Sequence, residues 1–471
     1  MGPGLLVALG CAAVSAPPSM RTATRIGAPR ASPRLASTVQ TKNSAPVEGG
    51  AYDTSGFDSV VMKTYSRVPI AIDRGEGCVL WDTSGKRYLD FAAGIATACL
   101  GHAHPALVDA VTEQMRRVHH TSNLYYIPKQ GDLAQMLTDR SPTDKVFFCN
   151  SGAEANEAAI KLARKHARTK HEITEPVIIS AQSSFHGRTL ATIAATGQFK
   201  YQEPFLPMPA GFVHTPYNDV AALRETVERI EKSGPFGLGK QKRLAAILLE
   251  PLQGEGGIKP GDPAFFAEAR RLCDERGALL MYDEVQTGIG RTGTFWGHER
   301  IGVRPDVITC AKALGGGVPI GAMLCTEAAN VFAPGDHAST YGGNFLASAA
   351  GVAVLRELDR ANVLANVRAR GEQLRDLLEA ISAKPGSHLA QVRGWGLILG
   401  AQLGESARCT AAQVCAQAAQ GGLLLVPAGP NVVRFVPPLI VTEAEVAQAA
   451  SIFEQALADA SAAAAKAAAP A

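Results

Sequence analysis

No apolar run in the 471-residue sequence reaches the roughly 18 residues that would span a bilayer, so we expect no membrane-spanning segment and no membrane partner. Charged residues are scarce, at 19%, whereas hydrophobic residues make up 46%, which excludes a chain that is disordered throughout. The net charge is only +3, too small to indicate nucleic acid as a partner. The many turns implied by 47 Gly and 28 Pro favour an α/β enzyme over a helical bundle.

Acidic residues are absent from residues 1–47, and the first is Glu48. This stretch is basic and rich in Ser and Thr, a composition typical of an organelle transit peptide. It opens with an apolar run at 5–14, of signal-peptide length, followed by a small-residue cleavage sequence at 14–16. A signal-like run followed by a transit-like run resembles the two-part presequences of algae with complex plastids. We therefore expect residues 1–47 to be a targeting presequence for the plastid or, alternatively, the mitochondrion.

Metal and disulfide sites have little support in the sequence. The nine cysteines are widely scattered and include no Cys-x-x-Cys pair, which favours buried thiols in a reduced compartment over a disulfide framework. The histidine pairs at 102/104 and 119/120 have no carboxylate or cysteine set at ligand spacing. We therefore expect no metal site.

Aliphatic and aromatic runs alternate with helical patterns through the middle of the chain. The runs predict buried strands at Val146–Cys149, Val177–Ile179, Ala246–Leu249, Leu279–Tyr282 and Val307–Cys310. Helical patterns lie between the strands, as at 154–168 and 264–276. This alternation predicts an α/β fold with a largely parallel sheet covered by helices on both faces. Ligands of such sheets bind beyond the carboxyl ends of the strands.

The pattern changes after Ala350. Residues 351–378 predict one long helix, and short strands are expected around Leu423 and Val432, as in a second, smaller α+β lobe. From Ala458 the chain is Ala-rich, and we expect it to fray after the last helix. The predicted division after the presequence is an N-terminal segment at 48–104, a large domain at 105–344, a small domain at 345–460 and a tail at 461–471.

A candidate anion site follows the first of these strands. Residues 150–156 run from the strand into a helix and include the small residues Ser151, Gly152 and Ala153. Small residues at a strand-to-helix turn let backbone N–H groups approach a phosphate, and a helix N-terminus favours negative charge. The alternative interpretation is an ordinary capped helix start.

Two charged residues follow later strands. Asp283 ends the predicted strand at 279–282, where it would face the ligand crevice and could pair with a protonated ring nitrogen; the alternative is a helix-capping Asp. Lys312 comes soon after the strand at 307–310 and just before three glycines. A lysine there is costly to desolvate unless it is paired or used covalently, and the alternative is a surface Lys that extends outward.

A phosphate turn, then an acid, then a lysine about thirty residues later is the layout of pyridoxal-phosphate enzymes of the aspartate-aminotransferase fold, fold type I. The sequence resembles the class III aminotransferases from about Tyr65 to about Val441. The matching blocks are residues 77–82, 101–105, 150–156, 185–190, 250–255, 283–293, 312–317, 339–344 and 434–438.

Within that family the sequence is most similar to the acetylornithine aminotransferases, through residues 123–126 and 315–321. The ornithine enzymes tend to carry Tyr where this chain has Ile95. The resemblance implies transamination of N-acetylornithine with 2-oxoglutarate, giving N-acetylglutamate 5-semialdehyde and glutamate, in arginine biosynthesis. The alternatives are an ornithine or 4-aminobutyrate aminotransferase and, with less support, glutamate-1-semialdehyde aminomutase.

The resemblance also implies which residues hold the pyridoxal 5'-phosphate cofactor. Lys312 would bind it covalently and carry a proton during the reaction, while Asp283 would hold the N–H of the pyridine ring. The other implied contacts are phosphate binding by Ser151, Gly152, Ala153 and Thr340, ring stacking by Phe185, and contact with the phenolic oxygen by Gln286. In this family the loop of Ser339 and Thr340 reaches in from the partner subunit, which implies a homodimer.

The implied substrate contacts centre on two arginines, because the guanidinium group is suited to bidentate binding of a carboxylate. Arg434 would bind the α-carboxylate of glutamate, and Glu255 would pair with Arg434 when the longer basic substrate is bound. Arg188 would bind the carboxylate of acetylornithine. Ser339 and Tyr65 complete the implied substrate-binding set.

Overall fold

The structure is a computed structural model, and it describes residue 52 and residues 54–232 and 242–468. The predicted presequence, residues 1–47, lies outside the described residues. The described residues belong to one compact unit, and the predicted boundaries at 104 and 344 stay predictions. None of the helices in the described part of the chain combines the length and apolarity needed to cross a bilayer.

Strands and helices alternate along the described chain. The strands are β1 (Ile72–Glu76), β2 (Val79–Asp82), β3 (Arg87–Asp90), β4 (Lys145–Cys149), β5 (Glu175–Ala181), β6 (Phe212–Thr215), β7 (Lys242–Leu249), β8 (Leu252–Gln253), β9 (Lys259–Pro260), β10 (Leu279–Asp283), β11 (Val307–Cys310), β12 (Gly321–Cys325), β13 (Leu389–Trp395), β14 (Ile398–Leu403), β15 (Leu423–Leu424), β16 (Val426–Pro427) and β17 (Val432–Phe435). The helices are α1 (Thr54–Val60), α2 (Ala93–Ala96), α3 (Pro105–Arg117), α4 (Pro128–Thr138), α5 (Gly152–His171), α6 (Leu190–Ala195), α7 (Phe199–Gln202), α8 (Val220–Lys232), α9 (Pro263–Arg276), α10 (Phe345–Arg360), α11 (Val363–Ser382), α12 (Ala411–Gln420) and α13 (Glu443–Ala468).

A seven-stranded sheet forms the centre of the molecule, in the order β4-β12-β11-β10-β7-β5-β6. The pairs formed among β6, β5, β7, β10 and β11 are all parallel, and β12 is antiparallel to both of its neighbours. All five strands predicted for the middle of the chain belong to this sheet, which confirms the largely parallel α/β fold. The strands β6 and β12 were not predicted.

Helices cover both faces of this sheet. On one face, alanines of α5 such as Ala159 pack with Ile178 and Leu248. On the other face, α8 and α9 pack against the alternate residues of the same strands, with Phe265 of α9 fully buried beside Ile247. Because β4, β5, β7, β10 and β11 run in the same direction, their carboxyl ends lie along one edge, and the loops that follow them meet there.

Within the described residues, three smaller sheets accompany the central one, with the orders β1-β2-β3-β15, β13-β14-β17-β16 and β8-β9. The strands expected around Leu423 and Val432 are present as β15 and β17.

Two helix predictions were wrong in their bounds. The single helix predicted at 351–378 is instead two helices, α10 and α11, because Asn362 adopts a left-handed φ of 48° between them. The Ala-rich tail continues as helix through Ala468 rather than fraying from Ala458. Alanine has the highest helix propensity, and Ser461 is still buried, so both propensity and packing extend the helix.

Candidate active site

A cavity of 410 Å³ opens at the carboxyl edge of the central sheet. Its wall contains nine of the residues that the sequence singled out, namely Ser151, Gly152, Ala153, Phe185, Arg188, Glu255, Asp283, Gln286 and Lys312. These residues come from the loops after β4, β5, β7, β10 and β11, which the parallel sheet brings together.

The N-terminus of α5 forms a candidate anion-binding site. Ser151 caps the helix by accepting a hydrogen bond from the Glu154 N–H at 3.2 Å. The N–H groups of Gly152 and Ala153 have no acceptor among the described residues, and they lie at the positive end of the helix dipole. A Cβ added to Gly152 would lie 2.7 Å from the Val285 side chain, so only glycine fits there. The arrangement suits a phosphate group.

Asp283 is held rigidly at the end of β10 and is 5% exposed. Its Oδ2 accepts a hydrogen bond from Asn156 Nδ2 at 2.8 Å and lies 2.8 Å from His186 Nδ1. Its Oδ1 accepts from the Val285 N–H at 3.0 Å. Thr309 in turn donates to Asn156 Oδ1 at 2.7 Å. A carboxylate fixed in this way can hold a cationic N–H group in one orientation.

Lys312 begins a 3₁₀ turn immediately after β11, with a left-handed φ of 44°. Among the described residues it forms no ion pair and donates no hydrogen bond, although it lines the cavity. Burial lowers the pKa of its amine; the charge of Glu255 opposes this shift and that of Arg434 adds to it. A lowered pKa increases the fraction of neutral amine, which is the nucleophilic form.

A buried ion pair stands behind the cavity wall. Arg434, in β17, is 1% exposed and donates from Nη1 to Glu255 Oε1 at 2.5 Å. The same Nη1 donates to Gln286 Oε1 at 2.9 Å. Glu255 and Gln286 line the cavity, and Arg434 lies behind them. A shift of Glu255 would therefore give a ligand carboxylate access to this guanidinium.

Arg188 presents a second guanidinium to the same cavity. It is exposed and stacks over the rings of Tyr201 and Phe185, 4.2 and 5.5 Å from their centroids. It forms no ion pair with another described residue, in contrast to Arg434. An arginine positioned by aromatic rings and without an acidic partner is free to bind a carboxylate.

Besides Arg434, three of the predicted residues lie outside the cavity wall. Tyr65 is 74% exposed, and its ring contacts the guanidinium of Arg67. Ser339 accepts a hydrogen bond from Asn150 Nδ2 at 3.3 Å, which connects it to the cavity through a lining residue. Thr340, next to it, is exposed.

The sequence left several residues of the site without a role. Asn156, His186 and Thr309 form the hydrogen-bonded surroundings of Asp283, and Glu250 lines the cavity at the end of β7. A signal did exist for Asn156, which lies one helical turn after Gly152 and therefore on the same face of α5. A signal also existed for His186, because it directly follows Phe185, the residue expected to stack on the cofactor ring.

Comparisons with known proteins agree with this geometry. The family model for class III aminotransferases matches residues 60–457. The chain is 56% identical, over 428 residues, to the acetylornithine aminotransferase of Nostoc sp., a cyanobacterium; the match covers 90% of this chain and 99% of that protein.

Two solved structures are similar in fold. The N-acetylornithine aminotransferase of Stenotrophomonas maltophilia is 39% identical with a TM-score of 0.72, and the match covers 85% of this chain and 98% of that one. The ornithine aminotransferase of Toxoplasma gondii is 31% identical with a TM-score of 0.79, covering 85% and 93%. The structure with the lower sequence identity has the higher TM-score. The backbone fold therefore does not distinguish an ornithine from an N-acetylornithine aminotransferase, and the difference must lie in the side chains.

Proposed function

The chain belongs to the class III aminotransferases, and we propose that it transfers the terminal amino group of N-acetylornithine to 2-oxoglutarate, giving N-acetylglutamate 5-semialdehyde and glutamate, in arginine biosynthesis. The observation that carries this proposal is the 56% identity to an acetylornithine aminotransferase across 99% of that protein. The cavity at the end of the sheet supports it, because it combines an amine, a fixed carboxylate and two guanidinium groups.

Pyridoxal phosphate is the cofactor of this family, and the residues of the cavity fit it. The free N–H groups of Gly152 and Ala153 suit its phosphate, and the caged carboxylate of Asp283 suits its ring nitrogen. The cofactor supplies an aldehyde that takes up the amino group and a ring that withdraws electrons. Phe185 and Gln286 line the same wall. Phe185 would stack on the cofactor ring, and Gln286 would contact its phenolic oxygen.

The amine of Lys312 has two tasks in this proposal. Its lowered pKa favours the neutral form, which can bind the cofactor covalently. When substrate is bound, the same amine would take a proton from the reacting carbon and return it, and a positioned base of this kind contributes roughly 10²–10⁴ in rate. Asn156 and His186 hold the Asp283 side chain in one orientation, in which it would meet the ring nitrogen.

The two arginines divide the substrates between them. Arg188 has no acidic partner among the described residues and binds the carboxylate of N-acetylornithine. Arg434 is masked by Glu255 while that substrate reacts at its amine end. When Glu255 moves aside, Arg434 binds the α-carboxylate of glutamate or 2-oxoglutarate. Tyr65 and Ser339 belong to this proposed substrate set, and Thr340 to the phosphate set.

We propose a homodimer as the active unit. Leu124, Tyr125 and Tyr126 are 88%, 70% and 102% exposed, and Tyr341 is 60% exposed. The preceding Asn123 donates to the carbonyls of Ser339 and Gly342, so the apolar residues adjoin the loop expected to serve the partner's site. An exposed apolar patch of this kind favours an interface, and a second copy would cover it.

We also propose that residues 1–47 direct the protein to a plastid. The support is their composition, free of acidic residues, together with the similarity of the chain to a cyanobacterial protein. A fusion of residues 1–47 to a fluorescent protein should accumulate in plastids. Accumulation in mitochondria would contradict the plastid as the destination, and a diffuse cytosolic signal would contradict a targeting role for residues 1–47.

Steady-state assays with the purified protein and pyridoxal phosphate test the substrate. We expect the highest kcat/KM with N-acetylornithine and 2-oxoglutarate, and much lower values with ornithine or 4-aminobutyrate as amino donor. A preference for either of those donors would contradict the proposal. Conversion of glutamate 1-semialdehyde without 2-oxoglutarate would instead identify an aminomutase.

A further inference from the structure

One buried carboxylate joins two separate segments of the cavity wall. Glu250 follows β7 directly and is 6% exposed. Its Oε2 accepts a hydrogen bond from the Phe185 N–H, and its Oε1 accepts one from the Gly254 N–H, both at 3.2 Å. These donors belong to different loops, one after β5 and one after β7, and each oxygen serves one loop.

The two loops carry different parts of the site. In the first loop, the residue after Phe185 is His186, whose Nδ1 lies 2.8 Å from Asp283 Oδ2. In the second loop, the residue after Gly254 is Glu255, which pairs with Arg434. A movement of the Glu250 carboxylate would therefore disturb the surroundings of Asp283 and the masking of Arg434 together.

We propose that Glu250 is a positioning residue that sets these two loops relative to each other, so that the cofactor-facing and substrate-facing parts of the cavity keep one alignment. This inference rests on the transamination proposed above. Glu250 acts through backbone N–H groups and through the residues that follow them, and it takes no part in bond making.

The protonation state of Glu250 decides whether both contacts hold. Burial raises the pKa of its carboxyl to about 7; the charge of His186 opposes the shift and that of Asp283 adds to it. Lys312 and Tyr217 are the other titratable groups whose charges interact with it. An ionised carboxylate accepts with both oxygens, whereas protonation turns one oxygen into an O–H donor that accepts only weakly. We therefore expect one of the two N–H contacts to weaken below about pH 7.

The substitution Glu250→Gln tests this alignment. The amide keeps the shape but has one accepting oxygen, so only one loop remains tethered. We expect kcat/KM to fall about tenfold or more with both substrates, since a hydrogen bond to a charged group is lost. In the wild type we expect kcat/KM to fall as the pH drops below about 7. This acidic limb of the pH profile should be absent from Glu250→Gln. Glu250→Asp, which keeps two accepting oxygens, should retain that limb and recover part of the rate.

The matched control is Glu268→Gln, the same change at a buried glutamate of α9 that lies outside the cavity. It should leave the rate and the pH profile as in the wild type. A Glu250→Gln variant that keeps the limb near 7, or that slows only one half-reaction in single-turnover measurements, would overturn the proposal. If Glu250→Gln does not fold, the kcat/KM of Glu250→Asp decides: a wild-type value would overturn the proposal.

A readout without turnover separates this inference from the proposed function. The visible absorbance of bound pyridoxal phosphate can be titrated against pH, and its dissociation constant measured, in wild type and Glu250→Gln. If the wild type fails to transaminate N-acetylornithine, the proposed function falls. A shifted titration and weaker cofactor binding in Glu250→Gln would still support the positioning role, and identical curves would refute it.

Discussion

Glu255 accepts a hydrogen bond from the Nη1 of Arg434 at 2.5 Å, although the two residues lie 179 positions apart in the chain. Arg434 is almost fully buried, whereas the side chain of Glu255 keeps 26% of its exposure. The glutamate is therefore the half of the pair that can move toward solvent at the smaller desolvation penalty. Glu255 can therefore shield the positive charge of Arg434 in one position and leave it open to a ligand in another.

Arg434→Ala should mainly damage the half-reaction with 2-oxoglutarate, because that substrate would place its α-carboxylate against this guanidinium once Glu255 has moved aside. The expected loss in kcat/KM corresponds to about 2–5 kcal/mol, as for truncating one partner of a buried charge pair. Single-turnover absorbance of the bound cofactor, followed separately with each substrate, measures both halves. Equal losses in the two half-reactions would argue against this division.

Glu255→Ala should leave Arg434 permanently unmasked. We expect faster reaction with donors that present an α-carboxylate close to the cofactor, and slower reaction with N-acetylornithine, whose amine end meets an uncovered cation. The ratio of the two kcat/KM values measures the shift. Glu255→Gln keeps an acceptor oxygen without the charge and should give an intermediate ratio, and an unchanged ratio in both variants would refute the masking role.

Arg188→Ala should weaken the half-reaction with N-acetylornithine and spare the one with 2-oxoglutarate. Arg188 is exposed, so the expected loss is about 1.5–3 kcal/mol in kcat/KM, the range for a hydrogen bond to a charged group. Arg188→Lys keeps the charge without the bidentate geometry and should recover only part of it. The proposed role of Arg188 would be contradicted if the alanine variant slowed the half-reaction with 2-oxoglutarate as much as the one with N-acetylornithine.

Lys312→Ala should abolish turnover, because in the proposed function this amine both binds the cofactor and moves the proton. The visible absorbance that reports covalent attachment should disappear as well. Asp283 and the N-terminus of α5 are untouched, so the variant should still bind pyridoxal phosphate noncovalently, which equilibrium dialysis can measure. Retained wild-type activity would contradict the role of Lys312.

Glu268 provides a pH-dependent prediction about stability. Hydrogen bonds from Arg271 and Arg224 hold the pKa of its carboxyl at about 2, below the 4.5 of a free glutamate. A lowered pKa stabilises the fold above about 4.5, and the contribution is lost as the pH falls toward 2. Chemical denaturation should show wild type more stable than Glu268→Gln at pH 7, with a smaller difference at pH 3. A constant difference would contradict this.

Much of the site follows from local sequence. A buried strand followed by small residues predicts an anion seat, and Asp283 and Lys312 stand out because charged residues rarely follow buried strands without a role. The seven-stranded sheet places both in the cavity wall. Two strands of the central sheet escaped prediction: Phe212–Thr215 is only four residues long, and Gly321–Cys325 begins with glycine and alanine, which have low strand propensity.

Local sequence patterns were enough to place the chemical groups in order: an anion-binding turn, then Asp283, then Lys312, each following a strand whose apolar pattern is local. The pairings across the chain, such as Glu255 with Arg434 and the Glu250 carboxylate with two loops, came from the tertiary structure alone. Paired parallel strands are separated in the sequence by long crossovers, and some neighbours in the sheet, such as β4 and β12, are far apart in the chain. A side chain's partner is therefore fixed by strand order and packing, which no local pattern contains.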